Sequence, residues 1–139
     1  MPNEIVKIMI LLKVQSLSYG YSGCKLDTVE RLVDFFNSDV YPVVYQQGSL
    51  GASGDLVPLA HLCLPLVGLG EVEYRGKVMG AAEALRKNGW KPIQLASKEG
   101  LALLNGTQNM SAYAVWAILN SKRLADWADA IAVSYTHLT

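Results

Sequence analysis

Cysteine is scarce in this 139-residue sequence: Cys24 and Cys63 are the only two, and neither sits in a short metal-type spacing. That excludes a disulfide scaffold and a cysteine-held metal site, and it makes a reducing cytoplasm the expected compartment. No sign of charge prevails, since twelve basic residues balance twelve acidic ones. Nothing electrostatic therefore favours nucleic acid or an anionic membrane as a partner. The N-terminal apolar run Ile8-Met9-Ile10-Leu11-Leu12, bracketed by Lys7 and Lys13, is too short for a signal peptide or a bilayer span. Internal repeats and low-complexity tracts are also missing. The phosphate signatures fail as well: there is no GxGxxG after a strand and no Lys-Ser/Thr closing a P-loop.

What the chain does have is apolar material, 51% of its residues against 17% charged. That is ample for a core, with some left for other subunits or for further parts of a larger fold. Residues 4–17 (EIVKIMILLKVQSL) read as a helix buried on most of its circumference. After the break at Ser18–Gly23, Asp27 with Glu30 predicts an N-cap and a helix using Val29, Leu32, Val33 and Phe36, ended by Asn37-Ser38-Asp39. Tyr41–Tyr45 reads as extended because of Pro42. Leu56–Leu69 reads as an apolar helix kinked or divided at Pro65, and Glu71–Val78 as a hairpin about Arg75-Gly76. A short helix over 81–88 is closed by Asn88-Gly89, Trp90–Leu95 is extended, and 98–132 is helical with Gly106 as its weak point. Cys24 and Cys63 read as small buried hydrophobes, and Tyr19, Tyr21, Tyr41 and Tyr45 as packing or interface residues. The class is mainly α with a minor β-hairpin.

The stretch from Gly48 to Leu56, GSLGASGDL, departs from this pattern with three glycines and two serines in nine residues. Its simplest reading is a glycine turn with Ser53 or Asp55 capping the next helix. A second is an anion cradle at that helix's N-terminus. A third is chemical. If the Gly54 amide nitrogen attacks the Ala52 carbonyl, a five-membered ring closes, and loss of two waters, one from Ser53, leaves an exocyclic methylene. Glycine suits the attacking position because no Cβ obstructs it. The product is an electrophile, which no unmodified side chain supplies.

GSLGASGDLVPLAHL resembles the signature of the histidine and aromatic amino-acid ammonia-lyases, and KEGLALLNGTQ, residues 98–108, resembles their second signature at the expected distance. The upstream LLKVQSLSYGYSG and YPVVYQQGS are similar to histidine ammonia-lyases too, so the likeness runs from about residue 3 to 132. It implies a partial ammonia-lyase domain over 1–132, within the helical-bundle fold of the fumarase/aspartase-like superfamily. It implies that Ala52, Ser53 and Gly54 form 4-methylideneimidazole-5-one (MIO) autocatalytically, with no external cofactor and no metal. The substrate amine would add to the MIO methylene, ammonia leaving as the β-carbon loses a proton; histidine would give trans-urocanate. By the same resemblance Asp55 orients groups about the ring and Asn105 lies beside MIO and the substrate. Read without it, Asp55 is a helix cap and Asn105 a helix break.

His61, where histidine lyases commonly have histidine and plant phenylalanine lyases usually have tyrosine, tilts the substrate towards histidine; in an apolar helix it also reads as a satisfied core residue. Tyrosine or phenylalanine lyases and aminomutases of the same family are the alternative, and a non-catalytic helical domain that only binds other subunits is a third. Family members are several times longer and assemble as homotetramers. Their upstream catalytic tyrosine and downstream pocket residues lie outside this chain, which is expected to be an internal fragment with little or no activity alone. Residues 133–139 do not continue the apolar spacing and read as a non-native tail beyond the helix.

Overall fold

The computed structural model describes residues 1–49 and 54–138. Six helices and a three-stranded antiparallel sheet make up the described chain. Helix α1 (Asn3–Ser18) buries Ile5, Val6, Met9, Ile10, Lys13 and Leu17, a stripe at three- and four-residue spacing that leaves few of its positions exposed. It packs against α2 (Leu26–Asn37) and against the long α6 (Gln108–Leu138).

Asp27 is not the N-cap of α2. The helix begins one residue earlier, Lys25 occupies the capping position, and no side chain of its own caps it. Its N-terminus is instead held across the fold by Glu99, whose carboxylate accepts the Lys25 N–H at 2.8 Å and the Thr28 hydroxyl at 2.9 Å. Drawing Thr28 inward turns the buried face to Thr28, Leu32 and Phe35 and leaves Val33 exposed, contrary to the sequence pattern.

Strand β1 (Val40–Pro42) pairs with β2 (Glu71–Tyr74), which pairs in turn with β3 (Lys77–Gly80), with Val40 opposite Tyr74 and Val72 opposite Met79. The expected hairpin is therefore present, and the extended 41–45 segment supplies a third strand from its first residues. Arg75 and Gly76 both take positive φ (53° and 73°), the geometry of a tight two-residue hairpin turn. Helix α3 (Leu56–Cys63) passes at Leu64 into a 3₁₀ turn over Leu64–Val67, so Pro65 does divide the apolar stretch. Helix α4 (Ala81–Lys87) ends in Asn88 and the left-handed Gly89, as the sequence predicts. Residues 90–95 form no regular element, yet Trp90 lies against Phe35 with ring centroids 5.7 Å apart.

The segment from Lys98 is two helices, α5 (Glu99–Leu104) and α6, broken at Asn105-Gly106-Thr107. Helix α6 does not stop at Ala132 but continues through Leu138. The polar residues that argued for an earlier end are accommodated by back-bonding: the hydroxyls of Ser134 and Thr136 each donate at 2.8 Å to the carbonyl four residues before. The core gathers α1, α2, α3, the sheet and the inner face of α4 around Phe35, Leu59, Leu62, Leu66 and Leu85. Much of α6 stands away from it, with Trp116, Ile118, Leu119, Leu124, Trp127 and Ile131 exposed.

Candidate functional site

The glycine-rich segment meets the α5–α6 break. Of the sequence-predicted site residues, Ala52 and Ser53 lie outside the described residues; Gly54, Asp55 and Asn105 lie within them. Gly54 has φ +91°, and a Cβ built on it would stand 2.5 Å from the carbonyl oxygen of Gly106. No side chain fits there without moving backbone. The contact is fixed by the next residue, whose N–H donates to the same Gly106 oxygen at 2.9 Å. Gly106 is itself at φ +139°, with its Cβ direction closed by the Gln108 amide. Glycine is thus required on both sides of the crossing.

Asp55 is fully buried and stands at the N-cap position of α3, but its carboxylate does not cap that helix. One oxygen accepts the Ser49 hydroxyl at 2.9 Å and the other the backbone N–H of Met110, also at 2.9 Å. Met110 lies in the first turn of α6, so Asp55 caps a helix begun more than fifty residues later. A negative charge there also meets the positive end of the helix dipole.

Asn105 ends α5 in extended geometry, its side-chain amide donating back to the Leu101 carbonyl at 3.0 Å and its side chain open to solvent. Its own carbonyl accepts the Lys13 ammonium at 2.7 Å. Lys13 is 1% exposed, and burial lowers its pKa from the ordinary lysine value, the thiols of Cys63 and Cys24 opposing that less strongly. Sequence reasoning missed Lys13 as a member of this site. The signal was its four-residue spacing with Met9 and Leu17 on the buried stripe of α1.

Glu99 was also missed. Burial raises its pKa, but the Ala96 and Lys25 N–H groups, the Thr28 hydroxyl and the Cys24 thiol together outweigh that and bring it to about 2. Cys24 is accordingly not a simple buried hydrophobe: it is half-buried, its sulfur 3.6 Å from Glu99. Cys63 does behave as one, with its thiol pushed up to about 12 by burial.

His61 is not a satisfied core histidine. Among the described residues its buried Nδ1 finds no hydrogen-bond partner, and its ring meets Tyr45 edge-on at 5.2 Å. Tyr41 packs against the core and donates its hydroxyl to Asp39 at 2.6 Å. Tyr19 and Tyr21 are exposed and pack against little of this chain. Among the described residues no group of three or more His, Cys, Asp or Glu side chains is placed to hold a metal, and no helix is long and apolar enough to cross a membrane.

The aromatic amino acid lyase family model matches residues 1–138, and the chain belongs to that family. Its fold is that of the ammonia-lyases and aminomutases. Among curated relatives, it is 53% identical over 131 residues to a histidine ammonia-lyase of Geobacillus sp. (strain WCH70), covering 94% of this chain and 26% of that protein. It is 51% identical over 122 residues to the histidine ammonia-lyase of Shewanella sediminis, covering 88% and 24%. Among solved structures it is similar to histidine ammonia-lyase from Trypanosoma cruzi, with TM-score 0.83 and 39% identity over 90% of this chain and 24% of that one. It is also similar to the phenylalanine aminomutase of Pantoea agglomerans, with TM-score 0.81 and 35% identity over 89% and 24%. The chain thus spans about a quarter of the length of the curated relatives it matches.

Proposed function

We propose that this chain is the electrophile-bearing part of a histidine ammonia-lyase, which deaminates L-histidine non-oxidatively to trans-urocanate and ammonia. The observation that carries the reading is the crossing of Gly54 and Gly106, where the missing Cβ is a steric necessity. Without a Cβ, the Gly54 nitrogen would be unobstructed in attack on the Ala52 carbonyl carbon. In that step the new N–C bond replaces the Gly54 N–H, and the Ala52 carbonyl oxygen leaves as water with that proton and the Ser53 N–H proton, closing the ring C=N bond. Ser53 then loses its hydroxyl and α-proton as a second water. The MIO so formed supplies an electrophilic methylene for the amine of an amino acid. Asp55, directly after the triplet, ties Ser49 before it to the first turn of α6. Asn105 offers a solvent-facing amide at the break, where a substrate group would be received.

Histidine is favoured as substrate by identities near 50% to proteins named histidine ammonia-lyase. The second reading, a phenylalanine or tyrosine lyase or aminomutase, is supported by likeness to the phenylalanine aminomutase fold at lower identity. In its full-length setting the protein acts as a cytoplasmic homotetramer, and the exposed apolar residues of α6 suit burial against other helices. The 139 residues alone turn over histidine little or not at all, since they span only a quarter of such an enzyme.

Intact-mass analysis of the purified chain, followed by peptide mapping, tests the reading. The expected result is a deficit of two waters confined to the peptide containing Ala52-Ser53-Gly54 and lost in Ser53→Ala. An unmodified mass in a folded sample refutes autocatalytic formation in this chain. Phosphate-dependent stabilisation without a deficit would favour an anion-binding loop instead. Substantial urocanate production by the isolated chain would overturn the expectation of inactivity.

A further inference from the structure

The buried cation of α1 has no counter-ion. Among the described residues no carboxylate comes within ion-pair distance of Lys13, and its one hydrogen-bond partner is the Asn105 carbonyl. The side chains facing it are the thiols of Cys63 on α3 and of Cys24 in the loop between α1 and α2, with Glu99 of α5 reaching Cys24 from its own side. A lysine held this way contributes little to core stability compared with an apolar side chain of its size. Its placement points to a local task.

That task follows from the peptide it holds. The Lys13 bond fixes the carbonyl of the Asn105–Gly106 peptide. The next carbonyl along, that of Gly106, accepts the Asp55 N–H and stands where a side chain on Gly54 would have to be. Asn105 carries the amide that faces solvent at the site. An uncompensated change in ψ of Asn105 or φ of Gly106, the two torsions flanking this peptide, would swing the Gly106 oxygen on its far side relative to the Asn105 side chain on its near side. Holding the peptide therefore holds the two in register.

We propose that Lys13 is a positioning residue of the lyase site: through the Asn105–Gly106 peptide it holds the Gly106 carbonyl against Gly54 and Asp55 and aims the Asn105 amide. The proposal rests on the reading of Ala52-Ser53-Gly54 as the MIO precursor for its catalytic meaning, though not for its geometry.

Backbone amide NMR of the chain, its Lys13→Met variant and its Lys13→Arg variant tests it, with intact mass recorded on the same samples. Lys13→Met should speed exchange of the Asp55 amide about tenfold or more, as expected when a charge-assisted bond supporting its acceptor is lost. Amides of the β2–β3 pair should be unchanged, and Lys13→Arg should restore most of the protection. The same order should appear in the two-water deficit, largest in the parent, smallest in Lys13→Met. Unchanged Asp55 exchange in Lys13→Met, uniform acceleration across the chain, or no recovery in Lys13→Arg would each overturn the proposal. If Lys13→Met does not fold, the parent itself decides. The Asp55 and Gly106 amide shifts should follow the titration of the Lys13 ammonium, below the ordinary lysine range, and amides indifferent to that titration overturn it. A parent with no mass deficit but with the Asp55 response intact would sink the MIO reading and leave the positioning role standing.

Discussion

Replacing Glu99 by glutamine changes one charge and one hydrogen-bonding atom at a position with no solvent exposure. In the parent, one carboxylate oxygen accepts from the Lys25 N–H (2.8 Å) and the Thr28 hydroxyl (2.9 Å), and the other from the Ala96 N–H. Every partner is a donor. An amide must point its NH2 at one of these donors whichever way it is turned, so the variant leaves at least one buried N–H facing another. The size of the effect follows from the pKa. Held at about 2 against an ordinary 4.5, the carboxylate contributes about 3 kcal/mol of folding stability near neutral pH.

The sign of the pH dependence follows. A carboxyl whose folded pKa is depressed stabilises the fold above its unfolded pKa, and that contribution is lost as pH falls through the window from 4.5 to about 2. Once protonated, Glu99 presents an O–H where glutamine presents an N–H, and the two become equivalent. Urea unfolding at pH 7, 4 and 2, followed by circular dichroism, should show Glu99→Gln weaker by about 3 kcal/mol at pH 7, with the gap closing towards pH 2. A gap of the same size at pH 7 and pH 2 would refute the electrostatic reasoning. A gap under about 1 kcal/mol at pH 7 would mean that these donors do not act together on this carboxylate.

Gly54→Ala places a Cβ 2.5 Å from the Gly106 oxygen at a left-handed φ; the conformation alone costs about 1–2 kcal/mol and the collision adds to it, so the urea midpoint should drop sharply and the two-water deficit vanish. Asp55→Ala strands the Met110 N–H and the Ser49 hydroxyl and should cost about 2–4 kcal/mol by the same measurement, with Asp55→Asn, which keeps one acceptor, costing roughly half. Alkylation at pH 8 should modify half-buried Cys24 well before Cys63, whose thiol is buried and pushed up to about 12, and equal rates on the folded chain would contradict that burial.

The helices and the hairpin were legible because their causes are local. Pro65 divides its helix, Arg75-Gly76 turns the hairpin, and Asn88-Gly89 stops α4, each through backbone constraints the residue carries with it. The caps were illegible for the opposite reason. Asp27 and Asp55 have the residue types and spacings of local N-caps, yet Lys25 and Met110 receive their carboxylates from Glu99 and Asp55, 74 and 55 residues away in sequence. The end of α6 is not legible because polar and β-branched residues lower helix propensity by less than about 1 kcal/mol each, too little to end a helix, and the hydroxyls of Ser134 and Thr136 find carbonyl partners within it. The candidate site was legible as a motif but not as a geometry: GSLGASGDL departs from the pattern around it, Asn105 is singled out only by the family resemblance, and Lys13 is one more lysine on an apolar helix.

The buried charges follow one rule that the sequence hides. Asp55 serves the N-terminus of α6, Glu99 the N-terminus of α2 and the approach to its own helix, and Lys13 the C-terminal carbonyl of α5. Acids meet positive helix ends and the base meets a negative one, so each buried charge is neutralised by a helix terminus and none by an opposite side chain. An ion pair would have joined two flexible side chains; these charges bind backbone, and two of the three flank the break at Asn105-Gly106-Thr107, Lys13 at the Asn105 carbonyl and Asp55 at the Met110 N–H beyond it. That break is too short to bury apolar surface of its own, and its glycine weakens it further. Its shape is therefore imposed from α1 on one side and from Asp55, at the head of α3, on the other. On the proposed reading, ring closure on Gly54 would require such a rigid crossing, since a nitrogen that must attack a neighbouring carbonyl reacts only when its backbone is held in place.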